Sequence, residues 1–339
     1  MRKCKNWLEA YIKYTTQSES PDGYHLWSGI SALAATLRRQ TWFNMGYFKV
    51  YPNMFIVLVG PAGARKTVAI RIATALLEPY EDIKVSADST TREALIRGMN
   101  EAKLLINVNG SEMYTHSSLT IVSEELSVFL GTHNHDLLSL LTTLYDCKDK
   151  WTYKTKTSGT DTIEGVWLNI IGATTPDWLV GSIPLTAIGG GFTSRIIFVV
   201  EDGPRKRTAL PKMSLEEKQM KMDLVHDIGV MKDIYGEFTM SPSGVSWFTN
   251  WYNTRDEVLA KDPRFAGYAE RKHIHLLKLS MVLSVCETDS LVMSDEHMIQ
   301  ALHLIDGLEE KMIHAFGSTG RSILAPDIDM ILSYINNYG

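Results

Sequence analysis

Apolar and polar positions recur along the chain with two different periods, and the changes of period mark out its elements. Over residues 5–19, Trp7, Leu8, Tyr11, Ile12 and Tyr14 recur at helical spacing, which predicts a helix with one apolar stripe. Ser20-Pro21-Asp22-Gly23 reads as a turn. Trp27, Ile30, Leu33, Ala34 and Leu37 then predict a second helix over 24–39, and its closing Arg38-Arg39 suits a helix C-terminus. Trp42 to Val50 predicts a short strand pair. Apolar runs ending at Val59, Val122, Ile171 and Val200 read as buried strands, with a shorter one at Ile83-Lys84-Val85. Helices are predicted near 67–78, from Asp88 onward, where Thr90 and Glu93 have capping-box spacing, and over 136–145. Beyond Gly203-Pro204-Arg205-Lys206-Arg207, which reads as a linker, the pattern is helical near 214–235, 241–259, 268–285, 294–316 and 327–337. The expected fold class is α/β, with a parallel-sheet core over about 50–204. A helical segment over 1–49 precedes it, and a helical lid over 205–339 follows, its last helix beginning a winged-helix unit at 327–339.

The strand ending at Val59 runs into Gly60, Pro61, Ala62, Gly63, Ala64, Arg65, Lys66 and Thr67, and a helix begins at once. Strand, glycine-rich loop, Lys-Thr and helix is the phosphate-loop arrangement. Backbone N–H groups of such a loop wrap phosphate oxygens, and the helix N-terminus adds partial positive charge. Lys66 then reaches the β- and γ-phosphates, and Thr67 places its hydroxyl on Mg²⁺. The pattern asks for glycine directly before the lysine, and Arg65 stands there; the plain alternative is a strand-turn-helix that binds nothing.

Glu124 and Glu125 end the buried strand that runs through Leu119-Thr120-Ile121-Val122, 58 residues after Lys66. One carboxylate there supports the metal and its neighbour orients and deprotonates the attacking water; Glu124 takes the first role and Glu125 the second. The strand through Val166–Ile171 stops in Thr174-Thr175, hydroxyls placed to touch a γ-phosphate. Arg195, behind Gly189-Gly190-Gly191, reads either as a residue reaching a neighbouring subunit's phosphate or as a surface arginine. Arg271 lies at the start of an amphipathic helix over 269–281, an unhelpful place for a cation with respect to the helix dipole. Lys150, Trp151, Tyr153, Lys154 and Lys156 alternate like a hairpin with Ser158-Gly159 near its tip. They read equally as a grip on single-stranded nucleic acid or as a lysine-protected edge. His133 and His135 lack a nearby third ligand and read as a helix N-cap loop.

Composition narrows this picture only a little. The chain has 339 residues, 45% hydrophobic and 22% charged, with formal net charge −5, so general polyanion binding is excluded and any nucleic-acid contact needs a local basic patch. Cys4, Cys147 and Cys286 are far apart, odd in number and without metal spacing, and read as reduced. No apolar leader and no membrane-spanning run is present, so a cytoplasmic protein of a bacterium or phage-infected cell is expected.

In this order the motifs resemble those of AAA+ ATPases of the replicative helicase type. Gly172-Ala173-Thr174-Thr175-Pro176 resembles their sensor 1 segment, with Thr175 at the position commonly held by Asn. Thr193-Ser194-Arg195-Ile196-Ile197-Phe198 resembles the arginine-finger segment of minichromosome maintenance helicases, and Ala269-Glu270-Arg271-Lys272 their sensor 2 helix. The chain also resembles an uncharacterised family of phage and prophage P-loop proteins described as DNA helicases. That likeness covers about residues 5–316 and rests on Tyr24-His25-Leu26-Trp27, Tyr51-Pro52-Asn53-Met54, Gly191-Phe192-Thr193-Ser194-Arg195 and Glu270-Arg271-Lys272. The resemblance implies a homo-hexameric ring that hydrolyses ATP with Mg²⁺. It implies single-stranded DNA in a central pore, with residues 148–158 turned toward it, and Thr175, Arg195 and Arg271 at the phosphates. Two alternatives stay open: a loader or assembly regulator that does not unwind DNA, and a nucleotide-binding scaffold whose loop Arg65 has spoiled.

Overall fold

The computed structural model describes residues 1–86, 91–108, 112–131, 134–155, 159–182, 191–255, 258–262 and 264–315. Helices α1 (Trp7–Tyr14) and α2 (Asp22–Leu37) lead to the short strands β1 (Thr41–Asn44) and β2 (Lys49–Val50). There follow β3 (Phe55–Val59), α3 (Lys66–Thr74), β4 (Val85–Ser86), α4 (Arg92–Glu101), β5 (Lys103–Val108), β6 (Glu112–Ser123), α5 (Leu126–Leu130) and α6 (His135–Tyr145). Next come β7 (Lys150–Thr155), β8 (Gly159–Glu164), β9 (Val166–Thr174), α7 (Pro176–Ser182) and β10 (Ile196–Val200). The remainder is α8 (Leu215–Met231), β11 (Gly236–Met240), α9 (Pro242–Thr254), α10 (Ala266–Glu287), β12 (Val292–Met293) and α11 (Asp295–Ala315).

The core is a parallel sheet in the order β10-β3-β9-β6-β4. Long β6 takes β4 beside its end and β5, antiparallel, beside its start. Every residue of β3 and β9 is buried, because helices cover both faces; strands of such a sheet are continuous apolar runs rather than alternating ones. Chain order reverses around β3, whose neighbours β9 and β10 both come much later. Ligands in sheets of this kind bind outside the carboxyl ends of the strands at such a reversal.

A second sheet, β12-β11-β1-β2, joins the segment before residue 50 to that after residue 205, and β1 runs parallel to β11. One hydrophobic cluster extends from Trp7 to Met312. The expected strand pair over Trp42–Val50 is present as β1 and β2, whereas β11 and β12 lie hidden within helical periodicity.

Two sequence expectations need correction, the cap of α4 and the amphipathic helix that carries Arg271. Arg38 stands at the C-cap of α2 and Arg39 just beyond it, as expected of basic residues at a helix C-terminus. Both are buried, Arg38 bonding Asp82 and the Lys232 carbonyl, and Arg39 bonding the carbonyls of Val166 and Cys147, the Tyr114 hydroxyl and Asp149. The cap of α4 is Thr91, which accepts from the Ala94 N–H at 3.2 Å; Thr90 lies outside the described residues. The helix carrying Arg271 is not amphipathic: α10 is buried continuously from His275 to Cys286 because α11 and α2 cover it. Arg195 is not a surface arginine, being 5% exposed. The helix expected over 327–337, and with it the winged-helix start, lies outside the described residues.

Candidate functional site

Three adjacent strand ends bring the loop, the hydroxyl residues and the acidic pair together. Val59 of β3 pairs with Thr174 of β9, and Gly172 of β9 pairs with Ser123 of β6. The Gly60 loop therefore lies beside Thr174-Thr175, and Glu124-Glu125 follow on the next strand.

The loop is held by backbone requirements. Gly63 has φ +82° and Arg65 φ 64°, so the chain turns twice through the left-handed region before α3 starts at Lys66. Glycine takes that conformation freely and arginine does not, so Arg65 is held by its surroundings. Its Nε donates to Glu19 Oε2 at 2.7 Å, and its carbonyl accepts from the Ser20 hydroxyl at 3.0 Å. Glu19 also accepts from the Thr208 N–H at 2.8 Å, so one carboxylate ties the loop to the segment following β10. Gly60 admits no side chain: a Cβ there would overlap the Tyr24 hydroxyl and lie 2.5 Å from the Glu201 carbonyl oxygen. The Tyr24 hydroxyl donates to the Val59 carbonyl at 2.6 Å, fastening α2 to the end of β3. Pro61, Ala62 and Gly63 are exposed, whereas Ala64 is buried.

Lys66 donates from Nζ to the carbonyls of Gly60 (2.6 Å) and Pro61 (2.9 Å), and burial pushes its pKa down. With no carboxylate on its amine among the described residues, it is a cation folded over its own loop. Thr67, in the first turn of α3, is half-buried. Four residues on and on the same face, Arg71 makes a two-pronged ion pair with Glu124, through Nε and through Nη2 at 2.5 Å. Glu125 is exposed at the start of α5 and accepts from the Ser127 hydroxyl at 2.8 Å. Thr175 accepts from the Trp178 N–H at 3.4 Å, and so serves the first turn of α7. Beside the first two turns of α3 lies a cavity of about 750 Å³ walled by Tyr14, Val68, Ile72, Pro211 and Met213.

Arg195 and Arg271 lie elsewhere. Ile196 pairs with Phe55, the first residue of β3, so Arg195 stands at the amino edge of the sheet, about 16 Å of strand away from the loop. It is fully engaged, with Nη2 at 3.0 and 2.9 Å from the two Asp146 oxygens and Nη1 donating to the Gly191 carbonyl at 2.5 Å. Arg271 lines a cavity at that same edge with Asp146 and Lys278.

The β7–β8 hairpin is antiparallel, Lys150 facing Glu164 and Tyr153 facing Asp161. Trp151 and Tyr153 stack on one another at 5.8 Å, half-buried against the body, and the Arg92 guanidinium lies 4.8 Å from the Tyr153 ring. The protein's own groups thus cover part of the aromatic face, while Lys150 is exposed. The backbone of Lys154 continues β7, and Lys156 lies outside the described residues, as does His133. Asn134 caps α6 by accepting from the Leu137 N–H at 3.1 Å, as an N-cap loop does. Among the described residues no group of three or more His, Cys, Asp or Glu is placed to hold a metal ion, and no helix is long and apolar enough to cross a membrane.

Sequence reasoning missed Glu19, Tyr24, Arg71 and Asp146 as partners of the site residues. Only Arg71 had a local signal, its i+4 spacing from Thr67. No protein-family model matches the chain, and no curated protein matches it.

Proposed function

We propose that the chain is an ATP-hydrolysing, ring-forming motor on DNA, a replication helicase of a phage or mobile element. The observation that carries this reading is the convergence of the Gly60–Thr67 loop, Glu124-Glu125 and Thr174-Thr175 on three neighbouring strand ends of one parallel sheet. The loop supplies exposed backbone, a lysine amine bonded only to loop carbonyls among the described residues, and the N-terminus of a nine-residue helix, a donor set suited to phosphate oxygens. The adjoining cavity of about 750 Å³ has the apolar walls and the size for a base and ribose.

In this reading Lys66 and the loop amides hold the β- and γ-phosphates. Mg²⁺, when bound with the nucleotide, neutralises their oxygens, and Thr67 and Glu124 are the chain's groups for it. Glu125 orients a water that attacks the γ-phosphorus. The bond from that phosphorus to the bridging oxygen breaks, ADP keeps the electron pair, and Glu125 accepts the proton of the water. Thr175 contacts the γ-phosphate. Arg195, at the far edge of its own sheet, acts on a neighbouring chain's nucleotide after leaving Asp146, and Arg271 beside it serves the same interface. DNA as the track is supported by the helicase resemblance and by the basic hairpin with exposed Lys150.

The test is ATP turnover with and without single-stranded DNA. Lys66→Ala and Glu125→Gln are each expected to lower turnover by about 100-fold or more. Assembled parent protein that binds ATP yet shows no turnover sinks the motor reading. Mixing Arg195→Ala with Glu125→Gln chains is expected to restore part of the rate at shared interfaces, and no rescue at any ratio removes the trans role. Strand displacement separates a helicase from a loader that never unwinds. Specific observations favour a nucleotide-binding scaffold as the second reading: Lys66 closed onto its own loop, Arg65 tied to Glu19, and Arg71 neutralising Glu124.

A further inference from the structure

We propose that the cavity at the amino edge of the sheet is a second phosphate site, complete within one chain, which takes the phosphate group of a small organic ester. It is a space of about 680 Å³ between the start of β3, the end of α6 and the first turns of α10, at the opposite edge from the Gly60 loop. Nothing in the nucleotide reading uses Lys278, Tyr145 or the cavity itself.

The charge there is unbalanced. Four cations, Lys49, Arg195, Arg271 and Lys278, stand at this cavity against two carboxylates, and both carboxylates are engaged: Asp146 pairs with Arg195, and the exposed Glu270 lies 3.9 Å from Arg255. Lys278 is 3% exposed, and its Nζ bonds the Asn53 carbonyl at 2.9 Å and the Asn53 side-chain oxygen; neither partner is charged. The amine also lies 4.0 Å from the centre of the Tyr145 ring. Arg271, half-buried, has no hydrogen bond or ion pair among the described residues, yet it lines the same space. The Tyr145 hydroxyl is buried without a hydrogen-bond partner. Burial pushes the Lys278 amine down to about 8, and burial followed by the nearby Arg195 lowers the Arg271 guanidinium.

A buried cation without a counter-charge is costly, and so is a buried hydroxyl without a partner. A tetrahedral oxyanion relieves both, because several of its oxygens accept at once from a guanidinium, an ammonium and a phenol. Phe48 and Tyr51 add apolar wall for an attached organic group, and the volume suits a ligand of nucleotide size. The ester reaches this cavity from solvent, whereas the trans role of Arg195 brings a phosphate only on a neighbouring chain. The two sources share their chemistry and differ in stoichiometry.

The experiment is isothermal titration with phenyl phosphate, and with inorganic phosphate beside it. It uses the full chain at a concentration where sedimentation shows monomer, in the parent and in Lys66→Ala. One phenyl phosphate is expected per monomer in both proteins, bound more tightly than inorganic phosphate. Arg271→Gln is expected to weaken binding at least about tenfold, the size of losing a charge-assisted contact. Arg271 is half-exposed, so circular dichroism of this variant should match the parent, and Lys278→Met gives the same loss where it folds. Three results overturn the site: no binding to monomers, binding unchanged by Arg271→Gln, or binding abolished by Lys66→Ala, which places the phosphate on the Gly60 loop. Occupancy seen only in rings carrying nucleotide overturns it too, in favour of a neighbour's phosphate. Failure of the parent to bind ATP leaves this titration unaffected, so the two readings fail separately.

Discussion

Replacing Gly60 by alanine is expected to damage the turn between β3 and α3 through a clash that the structure locates. The added methyl overlaps the Tyr24 hydroxyl and comes 2.5 Å from the Glu201 carbonyl oxygen. These obstacles differ in kind. The carbonyl belongs to backbone anchored by the Glu201 N–H bond to the Val59 carbonyl at 3.0 Å, and cannot withdraw alone. The hydroxyl can be displaced, at the loss of its bond to Val59. Overpacking of this size costs about 1–3 kcal/mol. A lost buried hydrogen bond costs about 1 kcal/mol. Gly60→Ala should therefore destabilise by about 2–3 kcal/mol and Tyr24→Phe by about 1 kcal/mol. With both changes the methyl meets one obstacle instead of two, and the loss should be about 2 kcal/mol rather than the sum of the singles. Urea unfolding of the four proteins measures the coupling, expected at about 1 kcal/mol or more in the direction of rescue. Losses that add within about 0.5 kcal/mol would refute the packing of α2 onto the loop, and with it the account of why glycine stands there.

Arg39→Met should destabilise by about 3–5 kcal/mol in urea, because it strands the Val166 and Cys147 carbonyls; an unchanged urea midpoint contradicts the buried role. If the proposed ATP turnover holds, Arg71→Ala removes an ion-pair partner of Glu124, so turnover should reach half-maximum at a lower Mg²⁺ concentration, by up to about fivefold given a partly exposed pair worth about 1 kcal/mol; an unchanged or higher requirement removes Arg71 as a competitor of the metal. Burial depresses His25 to about 4 and His116 and His275 to about 3, so the unfolded chain takes up protons that the folded one refuses. That stability is complete above the ordinary histidine value near 6.5 and is lost as pH falls toward 4, at up to about 1.4 kcal/mol per pH unit for each group. A urea midpoint that stays constant from pH 7 to pH 5 would contradict it.

Much of this molecule is legible one segment at a time. The run Phe55–Val59, the glycines beyond it and Lys66-Thr67 specify strand, loop and helix within about 15 residues, because burial, positive φ and helix initiation are set by neighbours in sequence. The runs of β9 and β10, Asn134 before α6 and the alternation of β7 announce themselves in the same way. β11 does not: its partner β1 is almost 200 residues away, and five residues between two helices carry too little periodicity to stand out. Nothing local announces the burial of Arg38, Arg39 and Arg195, because arginine is seldom buried; what buries them is a set of acceptors, among them Asp82, Asp149 and Asp146, contributed by distant segments.

What the sequence alone determined, then, is where a strand gives way to a glycine-rich turn and a helix begins, through local rules of turn and helix geometry. Only the tertiary structure decided which groups share an edge: parallel pairing aligns the ends of β3, β9 and β6, while the crossover to β10 sends Arg195 to the opposite end, beside Arg271 and Lys278. Strand order and ion-pair partners follow from how the whole chain closes on its core, and no short window of residues contains that information.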